Sequence, residues 1–194
     1  WGWETAPSFT GECVHLNKLE EELKDLRIPL QEDDVLDLLQ IRKRWPLKYP
    51  WGQYGVEILN SNGILVFPFY SYDGYFVYKE WKKYYDNGFM TVLNSVLDLT
   101  KELRELDLIC KRLIGDTVNA NFVFAKPGGQ KISYTMHEHD FDVVVKQIYG
   151  TGHWLVGGEE VTLKANDTLL VPRFTRHEVV KTTDKKLSIG ITIP

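Results

Sequence analysis

His137, Glu138 and His139 form an H-x-H pair, and a third histidine, His177, follows the segment Pro172-Arg173-Phe174-Thr175-Arg176. Residues two apart on a strand project to the same face, so the imidazoles of His137 and His139 can converge on one point. A strand that starts at His177 can return across the mouth of a β-barrel and close a three-point face around an ion. Three imidazoles suit Fe, Zn, Cu or Ni, and they leave coordination positions open for water, oxygen or substrate. The catalytic candidates are therefore the metal candidates: His137, His139 and His177. Asp140 and Asp142 are out of strand parity with the pair, and Asp142 reads as a cap on the strand it precedes. Glu138 points away and is solvated. His153, beside Trp154, reads as a satisfied polar residue of a β-rich core. Asn121 and Gln147 face inward if the strand register holds, where they either bind substrate or satisfy each other.

These side chains need strands to hold them. After Gly115 the chain turns into short β-favouring runs broken by turn residues, at 119–125, 131–136, 142–149, 153–156, 160–163, 168–172, 177–181 and 187–193. Eight such runs read as a sandwich or small barrel. The first half is helical and irregular. Apolar residues at helical spacing mark 16–26, which Pro29 ends, and Glu32, Asp33 and Asp34 open a second short helix through 39. Runs at 55–59 and 63–69 flank Asn60-Ser61-Asn62-Gly63, a hairpin turn. The clearest helix is 100–114, with Leu103, Leu106, Ile109, Cys110 and Leu113 on one face and Gly115 placed to end it. The aromatic run Phe67, Phe69, Tyr70, Tyr72, Tyr75, Phe76 and Tyr78 reads first as core and lid packing, and 79–86 as a solvated helix face. No repeat or linker divides the chain. One domain over 1–194 is expected, with a helical and loop part at 1–115 and a β core at 116–194.

Composition narrows the function classes. Of 194 residues 43% are hydrophobic, enough for a sizeable core. A net charge of -4, well mixed along the chain, gives no footprint for nucleic acid or an anionic membrane. No apolar run approaches the roughly eighteen residues that span a bilayer. Two distant cysteines, Cys13 and Cys110, form no disulfide framework, which favours a reducing, cytoplasmic setting. The expected partners are a small-molecule or peptide substrate and O2.

The stretch 119–154 resembles the cupin-like JmjC oxygenases, in particular their ribosomal-oxygenase branch. Asn121, Pro127, Gly129, His137, Asp142, Val143, Gln147, Gly150 and Trp154 carry the resemblance. A second block from Asp167 through Pro172 to His177 is similar to the family's G-D-x-L-x-x-P-x-G-x-x-H, and the likeness extends over about 55–193. It implies a mainly β fold, a double-stranded β-helix of cupin or jelly-roll type with N-terminal helices packed on it. It also implies Fe(II), O2 and usually 2-oxoglutarate, with His137 and His177 as the two metal histidines. Two departures stand out. His139 replaces the carboxylate of the family's H-x-D, and Gly152 replaces the lysine that grips the far carboxylate of 2-oxoglutarate. Tyr134, Arg173, Arg176 and Lys131 are the nearby groups that could serve that carboxylate, with Lys146 discounted because it points to the opposite face from Gln147. A three-histidine site is similar to that of thiol and diketone dioxygenases among the cupins, whose substrate chelates the metal without 2-oxoglutarate. The resemblance thus implies an Fe(II) oxygenase that oxidises, by hydroxylation first, an amino acid, a peptide side chain or a natural-product intermediate. The alternatives are a three-histidine dioxygenase independent of 2-oxoglutarate and a non-catalytic metal-binding sensor.

Overall fold

The computed structural model describes residues 10–41, 55–59, 65–66, 69–71, 75–115, 118–127 and 135–194. The expected turn at 60–63, together with Lys131, Tyr134, Phe67 and Tyr72, lies outside them.

The chain opens with helices α1 (Thr10–Asp25) and α2 (Glu32–Ile41), the latter with Glu32, Asp33 and Asp34 in its first turn. Strands β1 (Val56–Leu59) and β2 (Leu65–Val66) follow as an antiparallel pair. Helix α3 (Tyr78–Asp86) buries Trp81 and Tyr85, while Lys82–Asp86 and Lys83–Glu80 ion pairs hold its wet face. Strand β3 (Thr91–Leu93), which sequence patterning did not isolate as a strand, joins β1 to the main sheet. Helix α4 (Lys101–Ile114) is bounded by its own chemistry. The Thr100 hydroxyl accepts from the Leu103 N–H, and Gly115 takes the left-handed conformation (φ 79°) that lets its N–H reach the Lys111 carbonyl.

Seven strands complete the chain: β4 (Asn119–Ala125), β5 (Asp142–Tyr149), β6 (Gly152–Val156), β7 (Glu159–Leu163), β8 (Thr168–Val171), β9 (His177–Lys181) and β10 (Lys186–Ile193). A seven-stranded sheet in the order β2-β1-β3-β4-β10-β5-β8 faces a three-stranded sheet β7-β6-β9, the antiparallel jelly-roll of a double-stranded β-helix. The strand expected at 131–136 is not regular where it is described. Instead His137 forms an isolated bridge with His177.

Strand periodicity sorts the large sheet into two faces. On the outer one, Val144, Ile148, Ile189 and Ile191 pack with Leu19, Leu23, Leu103 and Leu106 of the helices in one core. Lys146 lies on this face too, fully buried, with its ammonium donating to the carbonyls of Leu23 (2.6 Å) and Asn166 (3.2 Å). On the inner face, Asn121, Val123, Val143, Val145, Ser188, Gly190 and Thr192 look toward the small sheet across a cavity. Among the described residues no helix is long and apolar enough to cross a membrane.

Candidate metal centre

His137 and His177 are tied by reciprocal backbone hydrogen bonds, 3.1 Å from the His137 N–H to the His177 carbonyl and 2.9 Å in return. The carbonyl of His139 accepts from the Phe174 N–H at 2.7 Å. Two short segments far apart in sequence are thus clamped face to face, and each contributes histidines to the same point. Ring centroids lie 5.1 Å (His137–His139), 4.3 Å (His137–His177) and 4.6 Å (His139–His177) apart. One ring nitrogen from each lies within 4.8 Å of the others, close enough for a single ion. Convergence comes from this bridge rather than from the parity of a regular strand.

The hydrogen bonds also set which nitrogen is available. Nδ1 of His137 lies 2.8 Å from the Thr135 carbonyl, and Nδ1 of His177 lies 2.8 Å from the Thr175 carbonyl. A carbonyl only accepts, so each Nδ1 carries the proton and each Nε2 lone pair is left for a metal. His139 is held differently, stacked on Phe141 at 4.4 Å and 14°. Burial lowers its pKa from 6.5 to about 4, assisted by the neighbouring His177 and His137 and opposed by Asp140. Burial likewise lowers His177, with His137 adding to the effect and the bond to Thr175 opposing it. Neutral imidazoles are the form that binds metal, so both shifts favour ligation.

Behind the triad the cavity encloses about 300 Å³. Val143, Val145, Val171, Val179 and Trp154 make most of its wall apolar, while Asn121 and Thr192 supply polar groups. None of the described wall residues is cationic.

The residues singled out from the sequence separate here. Asn121 is in the wall, its Oδ1 accepting from the Ser95 N–H at 3.2 Å. Gln147 faces inward but stands outside the wall, its Oε1 accepting from Ser188 (2.7 Å) and its Nε2 donating to the Tyr149 carbonyl (2.7 Å). The two do not satisfy each other. Arg173 is committed to Asp142, whose carboxylate accepts from the Arg173 N–H (2.8 Å), Nε (3.3 Å) and Nη2 (2.9 Å). Arg176 is exposed and outside the wall. Neither arginine therefore takes the place of a lysine at position 152. His153 bonds Thr183 and Thr162 on the outside of β6. Phe69 and Phe76 belong to the core beneath α3. Sequence reading missed Phe141, although its spacing from His139 gives the same face. It also missed the strained Phe174, at φ 62° and 64% exposed, which occupies the glycine position of the motif resembled above.

Residues 121–193 match the cupin domain family. Among solved structures, YcfD, a ribosomal oxygenase from Escherichia coli in complex with cobalt and succinic acid, aligns over 88% of this chain at 17% identity with a TM-score of 0.57. The alignment covers 45% of YcfD, so the chain spans less than half the length of that protein. KdgF from Halomonas sp. aligns over 40% of this chain and 68% of its own at 24% identity, TM-score 0.36. EutQ from Clostridium difficile aligns over 55% and 69% at 13% identity, TM-score 0.37. No curated protein sequence matches the chain.

Proposed function

We propose that this protein is a mononuclear non-haem Fe(II)-dependent oxygenase of the JmjC-like type, oxidising an amino acid, a peptide side chain or a small natural-product intermediate by hydroxylation. The observation that carries the reading is the triad itself. Three histidines, two with Nε2 freed by backbone carbonyls, stand at the edge of a largely apolar cavity of about 300 Å³. Iron bound there would supply the redox chemistry by which O2 oxidises an unactivated C–H bond, with 2-oxoglutarate as the co-substrate.

The chain's own contribution is positioning and exclusion. The Thr135 and Thr175 carbonyls hold the Nδ1 protons and fix both ring planes, and Phe141 holds the His139 plane. The valine wall keeps water from the reacting centre, and Asn121 and Thr192 orient a polar substrate group. The test is an anaerobic titration of the Fe(II)-loaded protein with 2-oxoglutarate, watching the visible metal-to-ligand charge-transfer band. A saturating band is expected. Its absence with iron fully bound would reject 2-oxoglutarate.

A second reading has its own observation. With Gly152 in the lysine position and no cation in the described wall, a three-histidine dioxygenase whose substrate chelates the metal directly fits the same site. Oxygen uptake with candidate substrates in the absence of 2-oxoglutarate separates this reading from the first. A sensor would bind metal and ligand without taking up oxygen.

A further inference from the structure

We propose that Gly190 is the floor of a slot opposite the three histidines, so that the site takes a flat organic acid, its carboxylate at the triad and an aromatic or conjugated body against the bare backbone of β10. The proposal rests on the metal-site reading only for which end of the acid meets the histidines. Gly190 lines the cavity, and so do Ser188 and Thr192, two residues to either side. The intervening Ile189 and Ile191 pack in the core on the other face. A side chain at 190 would therefore enter the cavity. Layering places the residue opposite the triad. Val123 and Trp154 pack on the small cluster that holds Val179, where the two sheets close, and Val123 pairs with Ser188. One inward-facing step from Ser188 along β10 is Gly190, and one step back from Val179 along β9 is His177. Both steps lead away from the link between Lys181 and Lys186, toward the same end of the cavity.

Nothing in the fold requires glycine there. Gly190 is not one of the glycines with positive φ. It pairs in register with Asn121 on one side and Val145 on the other, and the irregularity in the latter pairing lies at Leu187 and Ser188. Among the described residues a Cβ built on it would meet only Val143 Cγ1, at 3.9 Å, an ordinary contact. Gly150 and Gly152 differ, because a Cβ there would meet the Lys185 carbonyl oxygen at 1.9 Å or Gln147 Oε1 at 2.8 Å. A glycine inside a strand forgoes packing and loses more freedom on folding than any other residue. Where it persists it marks a bulge, a bend, or the close approach of a backbone or a ligand. Positions 190 and 145 show no bulge, and no backbone crowds the Cβ site, which leaves the ligand. Asn121 stands beside it in the wall. Its Oδ1 is engaged by the Ser95 N–H, and its amide nitrogen donates to no described residue, so it can serve an acceptor on the edge of the same ligand.

The thickness of the slot follows from sheet geometry. Facing sheets stand about 10 Å apart. A side chain such as Val179 reaches about 2.5 Å across, two carbon–carbon bonds of about 1.5 Å each, which leaves about 7.5 Å to a bare backbone opposite. One layer of carbon in contact with both sides needs about 7–8 Å, twice the contact distance of 3.5–4.0 Å. A planar ring meets that limit. A puckered saturated ring of the same size is thicker and must push the walls apart, and a packed wall resists. Val143 and Val145 on β5 close the side of the slot away from Asn121.

Calorimetric titration of the anaerobic Fe(II)-loaded protein compares benzoate with cyclohexanecarboxylate, which carries the same carboxylate on a puckered ring. Wild type should prefer benzoate by roughly ten- to a hundredfold, as the cost of overpacking allows. Gly190→Val should weaken benzoate by a similar factor while Fe(II) affinity holds, because no metal ligand is touched. Gly190→Ala should weaken it less, with a melting temperature equal to or above that of wild type, and it serves alone if the valine protein folds poorly. Equal affinity for the two acids, no benzoate binding in wild type, or undiminished benzoate binding in the variants would overturn the proposal. A clear loss of melting temperature in Gly190→Ala would overturn it too, since the fold itself would then need the glycine. Benzamide and cyclohexanecarboxamide titrated into metal-free protein separate the slot from the metal. A preference for benzamide that is lost in Gly190→Val supports the slot even where Fe(II) fails to bind and the oxygenase reading falls. Stoichiometric Fe(II) with no preference in either pair rejects the slot and leaves the metal-site reading standing.

Discussion

Replacing Gly152 by alanine sets two opposed effects against each other. In an extended strand the change ordinarily stabilises by about 0.4–1 kcal/mol, because alanine loses less freedom on folding. Here the new Cβ would stand 2.8 Å from Gln147 Oε1 and 3.0 Å from the Trp154 indole nitrogen. Gln147 cannot swing away cheaply. It is fully buried, its oxygen accepts from the Ser188 hydroxyl at 2.7 Å, and its nitrogen donates to the Tyr149 carbonyl at 2.7 Å. Overpacking of this kind costs about 1–3 kcal/mol, so steric cost wins and the net loss is about 1–2 kcal/mol. For a chain of this size that lowers Tm by about 2–8 °C. Differential scanning calorimetry measures it, and an unchanged or raised Tm refutes the argument. A double-mutant cycle locates the cause. In a Gln147→Ala background the Gly152→Ala penalty should shrink by more than about 0.5 kcal/mol. Gly152→Lys meets the same obstruction at its first carbon, so it should destabilise rather than improve anion binding.

Three further outcomes follow from the centre. His137→Ala and His177→Ala should each lose stoichiometric metal after dialysis, by elemental analysis, and Phe141→Ala should weaken metal binding about tenfold by freeing the His139 ring. Metal-free protein should lose stability as pH falls from 6.5 toward about 4 and level off below. Across that window the unfolded chain takes up a proton that folded His139 refuses, so urea midpoints at three pH values reveal the slope and His139→Asn should flatten it. Phe174→Gly should raise Tm slightly, because relief of about 1–2 kcal/mol of left-handed strain exceeds the roughly 0.5–1 kcal/mol entropy cost of glycine, and the ring is 64% exposed.

Elements whose signals are local were legible in the sequence. Thr100 and Gly115 bound α4 through their own capping bonds, and β4, β5 and β9 end where turn residues interrupt alternation. The histidine cluster was legible because an H-x-H and a distant histidine are rare types that mean little apart. The reason it converges was not. The backbone bridge between His137 and His177 is a long-range pairing with no periodic signature. Nearness in sequence also misled. Arg173 and Arg176 flank the loop before His177, yet one is spent on Asp142 and the other faces solvent.

Charge accounting across the cavity ties the two departures at positions 139 and 152 together. A carboxylate in the ligand set would cancel part of a divalent ion's charge, whereas His139 leaves that charge whole. The described wall supplies no anion to offset it, since Asp142, the buried acid beside this end, is already neutralised by Arg173. The charge of a bound ion would therefore stand at one end of a short apolar passage, and the valines behind it keep the effective dielectric low. Such a passage selects a ligand with an anionic end at the ion and an apolar body against the valines. Loss of the side chain at 152 and gain of imidazole at 139 then concentrate the preference for an anion at the histidine end of the cavity.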